Sequence, residues 1–209
     1  MAKLCQFGYP LLLVRTNPIK LTGPWTEGFA LDLHTVSSDF IGHDEFGHPQ
    51  FDTKYSEVGE LLYRLKYGQD KTVMDAISET CAEFLRRKEW SIDIIVPVPP
   101  SNQYRTVQPV KLISEALGHT FGVPVLPDAL VKLKSTPELK DVHDYLTRAT
   151  HLKDAFDAVA SHIEGRKILL VDDLYRSGAT VASVTKTLIE SGHAKEVRLL
   201  TVTKTRSNR

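Results

Sequence analysis

The stretch Ile168-Leu169-Leu170-Val171-Asp172-Asp173-Leu174-Tyr175-Arg176-Ser177-Gly178-Ala179-Thr180 joins four apolar residues to two acids and then to a hydroxyl-bearing glycine turn. A short, unbroken apolar run suits a strand buried on both faces. Beyond it, Val181, Val184, Leu188 and Ile189 recur at helical spacing until Ser191-Gly192, and Val197–Thr203 is a further apolar strand. Upstream, Ile92–Val96 is another such run, stopped by Pro97, Pro99 and Pro100. Val107, Val110, Leu112, Ile113, Ala116 and Leu117 then form a helical stripe, with Gly118 as the expected terminator. Strands and helices alternating across short links predict an α/β fold, a parallel sheet with flanking crossover helices.

In such a sheet ligands gather beyond the carboxyl ends of the strands, where Asp172 and Asp173 fall. The helix start that follows presents unpaired N–H groups and a partial positive charge, which attract a phosphate. Gly178 lets the backbone approach closely, Ala179 adds little bulk, and Ser177 and Thr180 bring hydroxyls. Asp172 and Asp173 suit a vicinal diol, or a Mg2+ ion held directly or through water. A phosphate beside a diol describes a ribose 5-phosphate. Alone, the acid pair reads equally well as a helix cap with a solvated neighbour; its place between a buried strand and an amphipathic helix is what points to a ligand.

Outward from this core, Val58, Leu61, Leu62 and Leu65 mark a helix that begins near Ser56 and is interrupted by Gly68. Val73, Met74, Ile77, Cys81, Phe84 and Leu85 mark the next, and Val123–Leu126 and Ala129–Leu133 are strand candidates. The first fifty-five residues differ, being rich in Gly, Pro, His and aromatics. There Phe29, Leu31 and Leu33 alternate with polar or small residues, and Leu11–Val14 and Ile19–Leu21 supply pairing partners. The expected division is a small β-rich N-terminal hood lobe over 1–55 and an α/β core over 56–209.

Lys plus Arg number 26 and Asp plus Glu 26, so no excess of positive charge supports a broadly basic nucleic-acid binder. Lys204, Arg206 and Arg209 read as a solvated tail. Cys5 and Cys81 form no Cys-x-x-Cys pair, which removes a zinc ribbon or dithiol centre and fits a reducing, cytoplasmic setting. Leu11–Val14 is far too short to span a bilayer.

Residues 168–180 resemble the 5-phosphoribosyl-1-pyrophosphate (PRPP) motif of type I phosphoribosyltransferases. Within that superfamily the chain is similar to the competence protein ComF family at Leu65-Lys66-Tyr67-Gly68, at Ile95-Val96-Pro97-Val98-Pro99, and at Thr136, Arg148, Ala155 and Phe156. It departs from the pattern at Arg176, where Thr or Ser is usual, at Arg105-Thr106-Val107-Gln108, at His151, and in lacking the family's N-terminal cysteine-rich zinc module.

The resemblance implies a phosphoribosyltransferase that binds PRPP with Mg2+ and transfers the phosphoribosyl group to an unidentified base or amine, with a homodimer suiting the fold. Arg176, Ser177, Gly178, Ala179 and Thr180 would hold the 5-phosphate, with Asp172 and Asp173 as the catalytic and metal-binding pair. Pro99, Pro100, Ser101 and Arg105 would meet the pyrophosphate. Arg176 either adds a guanidinium to the phosphate site or points away. Arg105 and Lys66 are ligand contacts or solvated cations. Arg148 meets phosphate or pairs with Asp141 or Asp144. The hood would read the acceptor; Trp25, His34, His43, Asp44, Glu45 and His48 are its chemically interesting members. A metal site over 43–48 is weighed against an ordinary polar loop, and Trp25 as a stacking platform against a buried residue. The alternative function is non-catalytic: a phosphoribosyl-nucleotide binder, or an accessory protein in DNA uptake or processing.

Overall fold

Ile94–Val96, Ile168–Val171 and Leu199–Val202 are apolar or nearly so at consecutive positions, so both faces of these segments must be covered. The computed structural model, which describes residues 13–102, 104–133 and 155–206, satisfies this with a five-stranded sheet between two helical layers. In chain order the strands are β1 (Ile19–Lys20), β2 (Glu27–Leu33), β3 (Thr35–His43), β4 (Pro49–Tyr55), β5 (Ile94–Pro97), β6 (Leu130–Lys132), β7 (Phe156–Ala158), β8 (Lys167–Tyr175) and β9 (Glu196–Lys204). The helices are α1 (Glu57–Tyr67), α2 (Met74–Lys88), α3 (Pro109–Phe121), α4 (Ala160–Ile163) and α5 (Ala179–Glu190).

The central sheet runs β1-β2-β9-β8-β5, parallel from β2 to β5, with β1 antiparallel at one edge. On one face Ala30, Leu199, Leu170 and Val96 pack against Trp25 and, from α5, Val184 and Leu188. On the other, Leu31, Leu200, Leu169 and Ile95 meet α1, α2 and α3 through Leu62, Leu65, Ile77, Ile113 and Leu117. Each such large apolar side chain, fully buried, contributes about 1.5–3 kcal/mol relative to exposure.

The expected α/β architecture is therefore present. The β-rich character of the first fifty-five residues takes an unexpected form. β1 and β2 join the central sheet, β2 pairing in parallel with β9 from Glu27↔Arg198 to Leu33↔Lys204. Only β3 and β4 form a separate antiparallel hairpin. Leu13 and Val14 carry no strand, correcting that part of the Leu11–Val14 expectation. Gly118 does not end α3. It lies inside the helix, where a Cβ would strike the Val125 side chain, and Gly122, left-handed at φ +64°, is the terminator. Val123–Leu126 supplies a single parallel bridge, Val125 to Ile95, instead of a strand.

The start of α1 is fixed to the end of β2. Ser56 caps the helix, accepting from the Gly59 N–H at 3.0 Å, and its own hydroxyl donates to the Leu33 carbonyl. Gly59 is needed there because a Cβ would collide with the His34 carbonyl oxygen. Ser56→Ala removes both hydroxyl bonds at a buried cap and should cost about 1–2 kcal/mol. For a chain of this length that is a fall in melting temperature of roughly 2–8 °C, readable by circular dichroism.

Candidate functional site

β8 does not stop at its apolar run but stays paired to β9 through Asp172↔Thr201, Leu174↔Thr203 and Tyr175↔Lys204. Consecutive strand residues point to opposite faces, and the two acids accordingly part company. Asp172 faces the α5 side and lines a cavity of about 70 Å³ together with Leu174 and residues 175–181. Asp173 faces α1, where its Oδ2 accepts from Lys66 Nζ at 2.6 Å. Asp172 accepts from the Asp173 N–H at 2.9 Å. Burial holds its carboxyl well above the usual carboxylate range, and the neighbouring Asp173 charge adds to the rise. In the free protein Asp172 thus favours its protonated form.

The cavity ends at the start of α5. The N-cap is Gly178, which brings no side chain of its own; the preceding Ser177 hydroxyl accepts from the Ala179 N–H at 3.5 Å, and the positive end of the helix faces the cavity, where it suits an anion. Gly178 is left-handed at φ +80°, and a Cβ there would fall into the Tyr175 hydroxyl. Tyr175 is itself set edge-on against the buried Trp25 ring, centroids 6.3 Å apart. Ser177, Ala179 and Thr180 complete the turn, and Arg176, exposed, contributes to the cavity lining.

Lys66 arrives from the far side of the fold. α1 leaves the end of β2 at Ser56, and its last turn reaches Asp173 on β8, two strands away. A helix advancing about 1.5 Å per residue easily covers two strand spacings of about 4.8 Å each. Lys66 and Asp173 are only 16% and 14% exposed, so the pair is not a solvated surface tie.

His34, at the end of β2, belongs to the same cluster. Its Nδ1 lies 3.3 Å from the Thr203 hydroxyl, which is 3.2 Å from the Asp173 carbonyl oxygen. Burial lowers its pKa, and the Lys66 charge adds to this, so the imidazole is held neutral. By sequence His34 belongs to the hood, and nothing there assigns it to the neighbourhood of Asp173. The available signal was a polar residue at the carboxyl end of an apolar strand, the same rule that found Asp172.

Pro99, Pro100, Ser101 and Arg105 lie in the loop leaving β5, whose Pro97 pairs with Val171, so this loop opens at the same sheet end as the phosphate turn. Gln108 staples the loop by donating to the carbonyls of Asn102 and Arg105. The Arg105 guanidinium sits over the Tyr67 ring at 5.7 Å, one residue from Lys66. None of the four lines the cavity beside Asp172. Arg148 and Thr136 lie outside the described residues. Trp25 is buried, its indole N–H donating to the Leu21 carbonyl. In the hairpin, Asp44 accepts from the N–H groups of Phe46 and His48 and from His48 Nδ1, which holds its carboxyl below the usual range. Asp44 is thus the cap of an exposed turn that also contains Glu45, with His43 at its edge.

The two acids do not fit a resident Mg2+ held between them. They leave opposite faces of β8, Asp173 already has an ammonium partner, and among the described residues no group of three or more His, Cys, Asp and Glu converges. Hard divalent ions need several converging oxygens.

Residues 67–209, more than half of the chain, match the phosphoribosyl transferase domain family, and the chain belongs to it. It is similar to the competence protein ComFC of Bacillus subtilis (strain 168), 27% identical over 147 residues, which cover 68% of this chain and 58% of that protein. Among solved structures it is similar to adenine phosphoribosyltransferase from Trypanosoma brucei in complex with AMP, pyrophosphate and ribose 5-phosphate, at 13% identity and a TM-score of 0.46 over 90% of this chain and 74% of that one. It is also similar to glutamine phosphoribosylpyrophosphate amidotransferase from B. subtilis, at 16% identity and a TM-score of 0.42 over 72% and 28% of the two chains. The chain thus spans little more than half of the curated relative it matches. Among the described residues no helix is long and apolar enough to cross a membrane.

Proposed function

We propose that this protein binds PRPP at the carboxyl edge of its sheet and transfers the phosphoribosyl group to a base or amine acceptor. The observation that supports this reading is the helix start at Gly178, with its hydroxyl-bearing turn, opening onto the cavity that Asp172 lines. The 5-phosphate sits on the first-turn N–H groups of α5. Asp172 accepts from a ribose hydroxyl, and Arg105 with the loop after β5 faces the diphosphate. Mg2+ enters as a companion of the diphosphate and not as a resident of the acid pair. In this reading residues 35–55, which form the separate β3–β4 hairpin, serve as the hood that reads the acceptor. Transfer from such a donor needs no covalent nucleophile; positioning and charge stabilisation of the leaving diphosphate suffice.

Calorimetry with PRPP and Mg2+ tests the first half, and pyrophosphate release across a panel of bases and amines tests the second. Micromolar PRPP binding, weakened at least tenfold in Arg176→Ala with Thr180→Ala, is the expected result; no binding by the wild type overturns the proposal. The similarity to ComFC supports a second reading, a phosphoribosyl-binding accessory protein in DNA uptake or processing. PRPP binding with no pyrophosphate released by any acceptor would favour it.

A further inference from the structure

We propose that the Lys66 ammonium is the permanent counter-ion of the acid pair, taking the place of a divalent metal there, so that the sugar-phosphate half of the ligand binds without Mg2+. This rests on the phosphoribosyl reading above. Two adjacent, partly shielded carboxylates repel each other, and a nearby cation relieves that repulsion. Lys66 supplies one at 2.6 Å, from a helix whose other end is fixed by Ser56 to the Leu33 carbonyl. Both partners are largely shielded from solvent, so the charge acts at short range with little screening by salt.

The surrounding groups agree. Beside the pair stand Thr203, donating to the Asp173 carbonyl, and His34, whose pKa burial and then the Lys66 charge lower against the opposing pull of Asp173. Among the described residues no second anion pairs with Lys66 to draw it away from Asp173. With Asp173 held by the Lys66 ammonium on the α1 side, Asp172 is left facing the cavity, where ribose hydroxyls can meet it by donating to it. A divalent ion would have to displace the ammonium and find its remaining ligands in water. Lys66 is a positioning residue: it holds Asp173, and through it the charge balance around Asp172, without touching the sugar.

The test is calorimetric binding of ribose 5-phosphate, which carries no diphosphate to bring its own metal, in EDTA and in excess Mg2+. Wild-type affinity should agree within about twofold between the two conditions. Lys66→Met should bind about tenfold more weakly in EDTA, equivalent to about 1.4 kcal/mol, and Mg2+ should restore most of the loss. Mg2+ alone should raise the melting temperature of Lys66→Met and not that of the wild type. Lys66→Arg, which keeps a cation, should remain indifferent to Mg2+; it also serves should the Met variant fail to fold. Wild-type binding that requires Mg2+ overturns the inference while leaving the phosphoribosyl reading intact. So does a Lys66→Met loss that Mg2+ cannot restore, which would make Lys66 a strut. No ribose 5-phosphate binding in either condition overturns both.

Discussion

Asp172→Asn should make the protein more stable and a worse ligand binder at once. The Asp172 carboxyl is buried beside Asp173, and it accepts from the Asp173 N–H, which an Asn oxygen can do equally well. Its folded pKa lies above the unfolded value of about 4. The folded state therefore holds a proton that the unfolded state gives up between the two values. Asp172 gives full stability below the unfolded pKa and loses it progressively as pH rises towards the folded pKa. At neutral pH the neutral amide avoids that loss. A tenfold change in an ionisation constant is worth about 1.4 kcal/mol, so a gain of about 1–3 kcal/mol is expected. That corresponds to a rise of roughly 2–12 °C in melting temperature, largest at neutral and alkaline pH and absent near pH 3. Hydrogen bonds to a charged acceptor are worth about 1.5–3 kcal/mol, so ribose 5-phosphate affinity should fall about 10- to 100-fold. Wild-type binding should also release a proton, measured by calorimetry in buffers of different ionisation enthalpy, and strengthen as pH rises. A variant that melts lower at pH 7 would show that Asp172 is a structural carboxylate.

Gly178→Val should abolish phosphate binding by a different route. A side chain in the left-handed region costs about 1–2 kcal/mol even in open space. Here the Cβ also meets the Tyr175 hydroxyl, whose ring lies edge-on against the buried Trp25. The left-handed strain and the filled space together displace the turn and turn the first N–H groups of α5 from the cavity. The expected loss is at least about 100-fold in ribose 5-phosphate affinity, with helix and strand content retained. In the milder Gly178→Ala background, Tyr175→Leu should recover part of the loss, since it removes the obstructing ring; strict additivity would place the cause elsewhere.

The phosphate turn was legible because its chemistry is local: strand, acids, glycine turn and helix follow within thirteen residues. The α/β class was legible for a related reason, since consecutive apolar positions leave no other way to bury both faces. What the sequence hid was non-local. His34 reaches Thr203 across 169 residues, through the parallel pairing of β2 with β9, and no periodicity within residues 1–55 announces that partner. The opposite directions of Asp172 and Asp173 also escaped, because they follow from β8 remaining a strand through Tyr175. Gly118 and Gly122 are equally good terminators by type; packing of Val125 against the first decides between them. Lys66 stays open in the sequence between a ligand contact and a solvated cation, because nothing in its neighbours reveals that α1 crosses two strands to meet Asp173.

The edge-on contact of Trp25 with Tyr175 has an optical consequence. The chain has two tryptophans, and the central sheet stands between them: Trp25 packs on one face, Trp90 on the other with Phe29 and Phe84. Trp25 touches the ring that stands beside Gly178, while Trp90, whose indole N–H donates to Glu27, lies on the far face of the sheet from the phosphate turn. The protein thus carries an intrinsic fluorophore one side chain away from the Gly178 turn, and a change in Trp25 emission is the expected sign, without a label, that an anion has filled it.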